Sequence, residues 1–341
     1  MDKRVIFAVA GSGKTKTIID ILSIDKRYLI ITYTNANHTS IINRIYNRFG
    51  YLPQNITVTT YYAFLYSFCY RPFLFFDFRC HGINYKSPNN RYASGIDRYI
   101  DNNHRLYSNR LSKFIIEKAS ALEIKKRIAR YYDYLLLDEI QDFGGHDFNF
   151  LTQISDANIN MLFVGDFFQH TFDTSRDGNV NSSLHEDYTA FKNRFRKMGL
   201  SVDETALIKS HRCSPTVCDF ITKNIGIELY SHRLDETAIT ELIDTADIMD
   251  IYHNNNIVKL FFNQHYTYAC YSRNWGDCKG EDQFSDVCVV LNETTQKHFK
   301  NNKLTNLASL TKNKLYVAIT RSRGNVYLVS ETALKKALLQ K

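Results

Sequence analysis

Three observations in the sequence predict an α/β protein built from two parallel-sheet units. Short, wholly apolar runs recur along the chain, each the length of a buried strand. Helical stretches stand between them, the alternation that a parallel sheet requires. The chain has 341 residues, room for about two domains at roughly 150 residues each.

The first run, 5–9, leads through a glycine loop into helical sequence over 15–22. Runs at 28–33 and 56–60 are the second and third strands, each followed by a helical stretch. The alternation breaks near Tyr66, where a basic segment begins. That segment is expected to end in one amphipathic helix with Leu111, Phe114, Ile115 and Leu122 on a common face. Strands resume at 134–137 and 161–164, and a second strand-rich half follows, with runs at 205–208, 257–262, 286–291 and 326–329. The expected division is therefore 1–65 with 131–204 for the first unit, 66–130 for an insertion into it, and 205–341 for the second.

Composition removes several alternatives. Apolar residues at 44% and charged residues at 23% are ordinary for a globular chain, and 23 Phe with 23 Tyr supply a real core rather than a disordered state. Only 14 Gly and 4 Pro exclude collagen-like and linker-like sequence. No stretch approaches the ~18 apolar residues of a membrane span. The apolar run near the N-terminus is too short for a secretory signal, so a cytoplasmic protein without a membrane partner is expected. Seven scattered cysteines without a C-x-x-C pair indicate reduced thiols rather than a disulfide framework or zinc ribbon.

The net charge of +8 is concentrated. Residues 66–130 carry 13 Lys/Arg against 5 Asp/Glu, with six Tyr and six Phe interleaved. Cations for phosphates and rings for bases suit a single strand of nucleic acid.

Chemistry enters at Ala8-Val9-Ala10-Gly11-Ser12-Gly13-Lys14-Thr15, between a strand and a helix. Gly11 and Gly13 let backbone N–H groups of the Gly11, Ser12 and Gly13 turn face a phosphate at a helix N-terminus. Lys14 suits the β/γ oxygens and the Thr15 hydroxyl suits Mg²⁺, although the strict pattern has Gly where this chain has Ala8. The second element is Leu135-Leu136-Leu137-Asp138-Glu139-Ile140-Gln141-Asp142. A strand ending in two acids delivers Asp138 to a metal shell and Glu139 to an attacking water.

Further elements follow in order: Thr32-Tyr33-Thr34-Asn35, Thr60-Tyr61-Tyr62-Ala63-Phe64, Val164-Gly165-Asp166-Phe167-Phe168-Gln169, Ser210-His211-Arg212-Cys213-Ser214, Lys279-Gly280-Glu281-Asp282-Gln283-Phe284 and Tyr316-Val317-Ala318-Ile319-Thr320-Arg321. With the phosphate loop and the D-E-I-Q-D box, the series resembles the UvrD/Rep-type superfamily 1 helicases over nearly the whole chain. The resemblance implies two tandem RecA-like P-loop NTPase domains that bind ATP and Mg²⁺. It makes Gln169 the γ-phosphate sensor and Arg212 and Arg321 arginine fingers, a role worth roughly 10³ to 10⁵ in rate. It places Lys16 and His211 at the nucleotide base, and Thr32, Tyr33, Asn35, Thr60, Tyr62 and Phe172 along a bound strand.

The chain also departs from that pattern. His211 stands where the relatives have Tyr, and Lys16 where they have Arg. One residue is added before Phe284, so either Glu281 or Asp282 matches the family's acid. Arg212 and Lys279 are too close in sequence for the relatives' large second-domain insertion. The stretch after Gln169 is replaced by Asp173-Thr174-Ser175-Arg176-Asp177. The expected activity is ATP-driven translocation on a single strand, DNA favoured with 3′ to 5′ travel, while RNA suits the same groove. The alternative is a nucleotide-gated sensor or switch working with a protein partner, as in compact antiphage-defence subunits. A small-molecule phosphotransferase would leave the later motifs and the basic segment unused.

Overall fold

The computed structural model describes every residue except Asn89, Arg91, Asp173, Thr174, Arg176 and Lys341. Most of the replaced stretch after Gln169 therefore lies outside the described residues. The chain divides into two units: residues 1–7, 14–165 and 173–203, and residues 8–13, 166–172 and 204–341.

The first unit is built on six parallel strands: β1 (Lys3–Phe7), β2 (Tyr28–Thr32), β3 (Ile56–Thr60), β4 (Tyr134–Leu137), β5 (Asn160–Gly165) and β6 (Ser201–Asp203). Their order is β3-β2-β4-β5-β1-β6. Every residue of β2 and the last three of β4 are buried. Such strands are apolar on both sides because both faces of an all-parallel sheet are covered. Parallel pairing also puts all their carboxyl ends on one edge, where ligands bind in open α/β sheets. Helix α1 (Lys14–Asp20) follows β1 and α2 (Asn35–Phe49) follows β2.

After β3 a helical run covers 61–78, with Phe64–Tyr70 in π-helical geometry, and among the described residues no further strand joins the sheet until β4. The expected single helix near 111–122 is two helices, α3 (Ser108–Lys118) and α4 (Ala121–Tyr131). Ser120 causes the break, because its extended backbone lets its Oγ accept from the Glu123 N–H as an N-cap. Leu111, Phe114 and Ile115 are buried as expected, but Leu122 lies in the next helix and is exposed, leaving Ile124 and Ile128 as that helix's apolar face. Tyr70, Phe78 and Tyr99 pack around Phe114 at 4.9–6.3 Å, so part of the segment's aromatic content is a small core. Phe76, Tyr85 and Tyr92 remain exposed. Part of the positive charge is also spent internally: Asp177 pairs with Arg98 and Arg110, and Asp156 with Lys125.

The second unit holds five parallel strands, β7 (Ile239–Glu241), β8 (Val258–Phe261), β9 (Ser272–Asn274), β10 (Val287–Leu291) and β11 (Val326–Ser330), in the order β7-β11-β10-β8-β9. Its core joins β8, β10 and β11 to Leu315, Tyr316 and Val317 of the helix Ser309–Ile319. The run at 205–208 is not a strand. Thr205 and Ala206 are exposed and Leu207 and Ile208 only half-buried, and pairing instead uses Lys209–Ser210 with Tyr230–Ser231. Among the described residues no helix is long and apolar enough to cross a membrane.

Candidate nucleotide site and strand-binding edge

In the first unit, Lys14 and Thr15 open α1 while Asp138 and Glu139 leave β4. The Thr15 hydroxyl donates to Asp138 Oδ2 at 3.2 Å. Asp138 is buried, and burial followed by the neighbouring Glu139 pushes its carboxyl up to about 7, with the Lys14 cation opposing the shift. A hydroxyl beside a buried carboxylate is a hard oxygen pair, the donor chemistry that fits Mg²⁺ sharing its shell with water and phosphate.

Glu139 is a non-glycine residue in the left-handed region, φ 57° and ψ 48°. Such a backbone costs about 1–3 kcal/mol and persists only where the surroundings hold it. The Gln141 side-chain amide donates to Glu139 Oε2 at 2.5 Å, and Asp142 N–H donates to the Glu139 carbonyl at 2.9 Å. Gly165, at the end of β5, makes room for this turn. A Cβ there would lie 2.6 Å from Ile140 Cγ2 and 2.9 Å from the Ile140 nitrogen.

In the second unit, the loop over 8–13 is tied to three later motifs. Gly11 and Gly13 have φ of 71° and 95°, conformations that favour glycine. A Cβ on Gly11 would stand 2.7 Å from both Arg212 Cβ and Ser210 Oγ. His211 N–H donates to the Gly11 carbonyl at 2.9 Å. Ala10 N–H donates to Tyr316 Oη at 2.8 Å, and that hydroxyl donates to Asp166 Oδ2 at 3.0 Å. Ser12 is buried, and its hydroxyl closes the turn by donating to the Val9 carbonyl.

Arg212 and Arg321 are both buried and share Asp282. Arg212 Nη2 donates to Asp282 Oδ1 and Nη1 to the Thr320 carbonyl, while Arg321 Nη1 lies 3.6 Å from the same carboxylate. Burial, then the Arg321 charge, lowers the Arg212 guanidinium to about 10, so it stays cationic at neutral pH. Glu281 turns away, its carboxylate accepting from Arg273 Nε at 3.2 Å. Asp282 is thus the acid that faces the arginines. Gln169 is buried in the turn Phe167–Gln169. His211 is exposed and lies flat on His232, with centroids 4.1 Å apart and planes 9° apart. Lys16, in the first unit, is exposed and pairs with Asp20 at 2.6 Å.

The expected strand contacts do not share one environment. Thr32 is fully buried, and its hydroxyl has no partner among the described residues. Tyr33 packs beside Tyr61, Tyr62 and Phe143 at 5.5–5.8 Å, and its hydroxyl bonds Tyr62 Oη at 2.8 Å and Asp147 at 3.1 Å. Asn35 is exposed at the start of α2. Thr60 accepts from Ala63 N–H as a cap, and Phe172, in the second unit, is exposed. Tyr61, part of the Thr60–Phe64 motif, joins this network with Asp147 and Ser112, which no sequence motif marks. No local pattern marks Asp147, because its partners lie 35 and 114 residues away.

Two parallel sheets carrying these motifs are the tandem RecA-like architecture of P-loop NTPases. Residues 111–330 match the family model of the viral superfamily 1 RNA helicase core domain, and the chain belongs to that family. The fold is similar to that of arterivirus nonstructural protein 10, a helicase, in a complex with DNA (15% identity, 98% of this chain and 63% of that one, TM-score 0.52). The same helicase in another crystal structure gives 15% identity, 98% and 61% coverage, and TM-score 0.52. The PRRSV helicase is similar at 12% identity, covering 96% of this chain and 52% of that one, with TM-score 0.47. The chain thus spans 52–63% of the length of these helicases. No curated protein matched in a sequence comparison.

Proposed function

We propose that this chain hydrolyses ATP to drive translocation or unwinding along a single strand of nucleic acid. The observation that carries the reading is the gathering of Thr15, Asp138 and a conformationally restrained Glu139 at one sheet edge. Lys14 binds the terminal phosphates, the Gly11–Ser12–Gly13 turn cradles them with its N–H groups, and Thr15 and Asp138 hold Mg²⁺. Mg²⁺, when bound, offsets phosphate charge. Glu139 orients the attacking water and accepts its proton, and Gln141 fixes that carboxylate. Gln169 responds to the γ-phosphate, while Arg212 and Arg321 meet the charge that develops as its bond breaks. Lys16 and His211 contact the base.

Tyr33, Asn35, Thr60, Tyr62 and Phe172 follow the strand, with Thr32 supporting Tyr33 from the core. The basic segment 66–130 is the insertion, set into a first domain of 1–65 and 131–204 and followed by a second of 205–341. Within superfamily 1 we place the chain in the UvrD/Rep-type branch on its T-Y-T-N, D-E-I-Q-D and Y-V-A-I-T-R elements, lacking the large second-domain insertion. That placement favours DNA and 3′ to 5′ travel.

The test is streptavidin displacement from single-stranded DNA or RNA biotinylated at one end. Displacement from the 5′ end of DNA, requiring ATP, is the expected result. Displacement from the 3′ end would reverse the polarity, displacement on RNA alone would reassign the strand, and none at either end would remove translocation.

A further inference from the structure

The completely buried carboxylate of Asp147 joins four parts of the first unit. It sits in helix α5 (Gly145–Ile154), which starts three residues beyond Asp142 of the acidic box. Its Oδ2 accepts from the Tyr33 hydroxyl at the end of β2 at 3.1 Å. Its Oδ1 accepts at 2.5 Å from Ser112 Oγ of α3, in the basic segment. Ser112 Oγ is also 3.0 Å from the hydroxyl of Tyr61, at the start of the helical run after β3. The circuit closes through Tyr62, whose hydroxyl lies 2.8 Å from that of Tyr33 and whose ring meets exposed Tyr85 of the basic segment edge-on at 5.6 Å. Tyr61 and Tyr62 are both pushed up, by burial first and then by the Asp147 charge, so both phenols stay protonated and able to donate.

Burying a carboxylate is costly unless it is hydrogen-bonded, and this one is met by the hydroxyls of Tyr33 and Ser112. We infer that Asp147 is a positioning residue for the bound strand: resting on the strand-binding reading above, it orients Tyr33 and docks the basic segment's α3 beside it, so that the aromatic edge is preformed when a strand arrives. Hydrogen bonds to a charged acceptor are about twice as strong as neutral ones, and fixed orientation is what a stacking ring needs. The helix that carries Asp147 begins three residues after the box, so the two are consecutive along the chain.

The test compares wild type with Asp147→Asn, Asp147→Ala and Ser112→Ala. Each is measured for binding of a fluorescein-labelled oligo-dT and oligo-rU by anisotropy, for strand-free ATPase and for melting temperature. Asp147→Asn keeps the shape and one acceptor but loses the charge. It should weaken strand binding by about fivefold to tenfold, with kcat and KM for strand-free ATP turnover within about twofold of wild type. Asp147→Ala should weaken binding further, and Ser112→Ala less than either. Unchanged strand binding in Asp147→Asn would overturn the inference. So would binding that falls only in step with melting temperature and strand-free turnover, because that is a scaffold effect. Failure of the motor reading shows separately, as wild-type turnover that ignores the strand, and the binding comparison still decides the role of Asp147.

Discussion

The Gln141 amide donates a 2.5 Å hydrogen bond to the carboxylate of Glu139, a residue whose own backbone is left-handed. A carboxylate held this way is oriented before any substrate arrives, which is what a general base requires. Glu139→Gln should therefore lower ATP turnover by about 10²- to 10⁴-fold while the protein still binds ATP. Single-turnover hydrolysis alongside equilibrium nucleotide binding would check it, and near-normal turnover would remove Glu139 as the base.

Gly165 bears on the same turn from β5. In Gly165→Ala the new methyl meets the Ile140 backbone nitrogen, which cannot swing aside as a side-chain tip could. Overpacking of this kind costs about 1–3 kcal/mol. Thermal melting should fall by about 1–2 °C for each kcal/mol in a protein of this size. Turnover should fall with it, because Glu139 is displaced together with Ile140. An unchanged melting temperature would mean that the turn is looser than described.

Asp282, rather than Glu281, holds the two buried arginines. Asp282→Asn should lower kcat by about tenfold or more, since two neighbouring guanidiniums lose their shared counterion. Glu281→Gln should leave kcat within about twofold. Steady-state kinetics on the pair decides between them, and the reverse ranking would contradict the assignment.

If about six cations of the basic segment contact phosphates, log K for a single strand should fall with log salt at a slope of about −4. Titrations of labelled oligonucleotide at several salt concentrations measure this directly. A flat response would remove the segment as the footprint.

Much of the architecture was legible because its signals are local. Runs such as Tyr28–Thr32 and Tyr134–Leu137 are apolar on both faces, and only covered parallel strands demand that. The acidic box and the glycine loop were legible for the same reason, being contiguous in sequence. The errors came where a tertiary choice overrode a local one. Leu122 fits a helical stripe with Leu111 and Ile115, but Ser120 caps a new helix between them. Leu207 and Ile208 are β-formers that no sheet receives. The partners of the Tyr33 hydroxyl, Tyr62 and Asp147, lie 29 and 114 residues away and carry no local signal. The choice between Glu281 and Asp282 could not be read at all, because the arginines that decide it stand 70 residues before and 39 residues after Asp282.

A motor, unlike a switch, couples ATP turnover to a strand. The most direct measurement is the steady-state ATPase rate with single-stranded DNA or RNA of increasing length, using Lys14→Ala as the blank. Strong stimulation that rises with strand length and is absent in Lys14→Ala is the expected result. Hydrolysis indifferent to strand and length would contradict it and favour a nucleotide-gated switch.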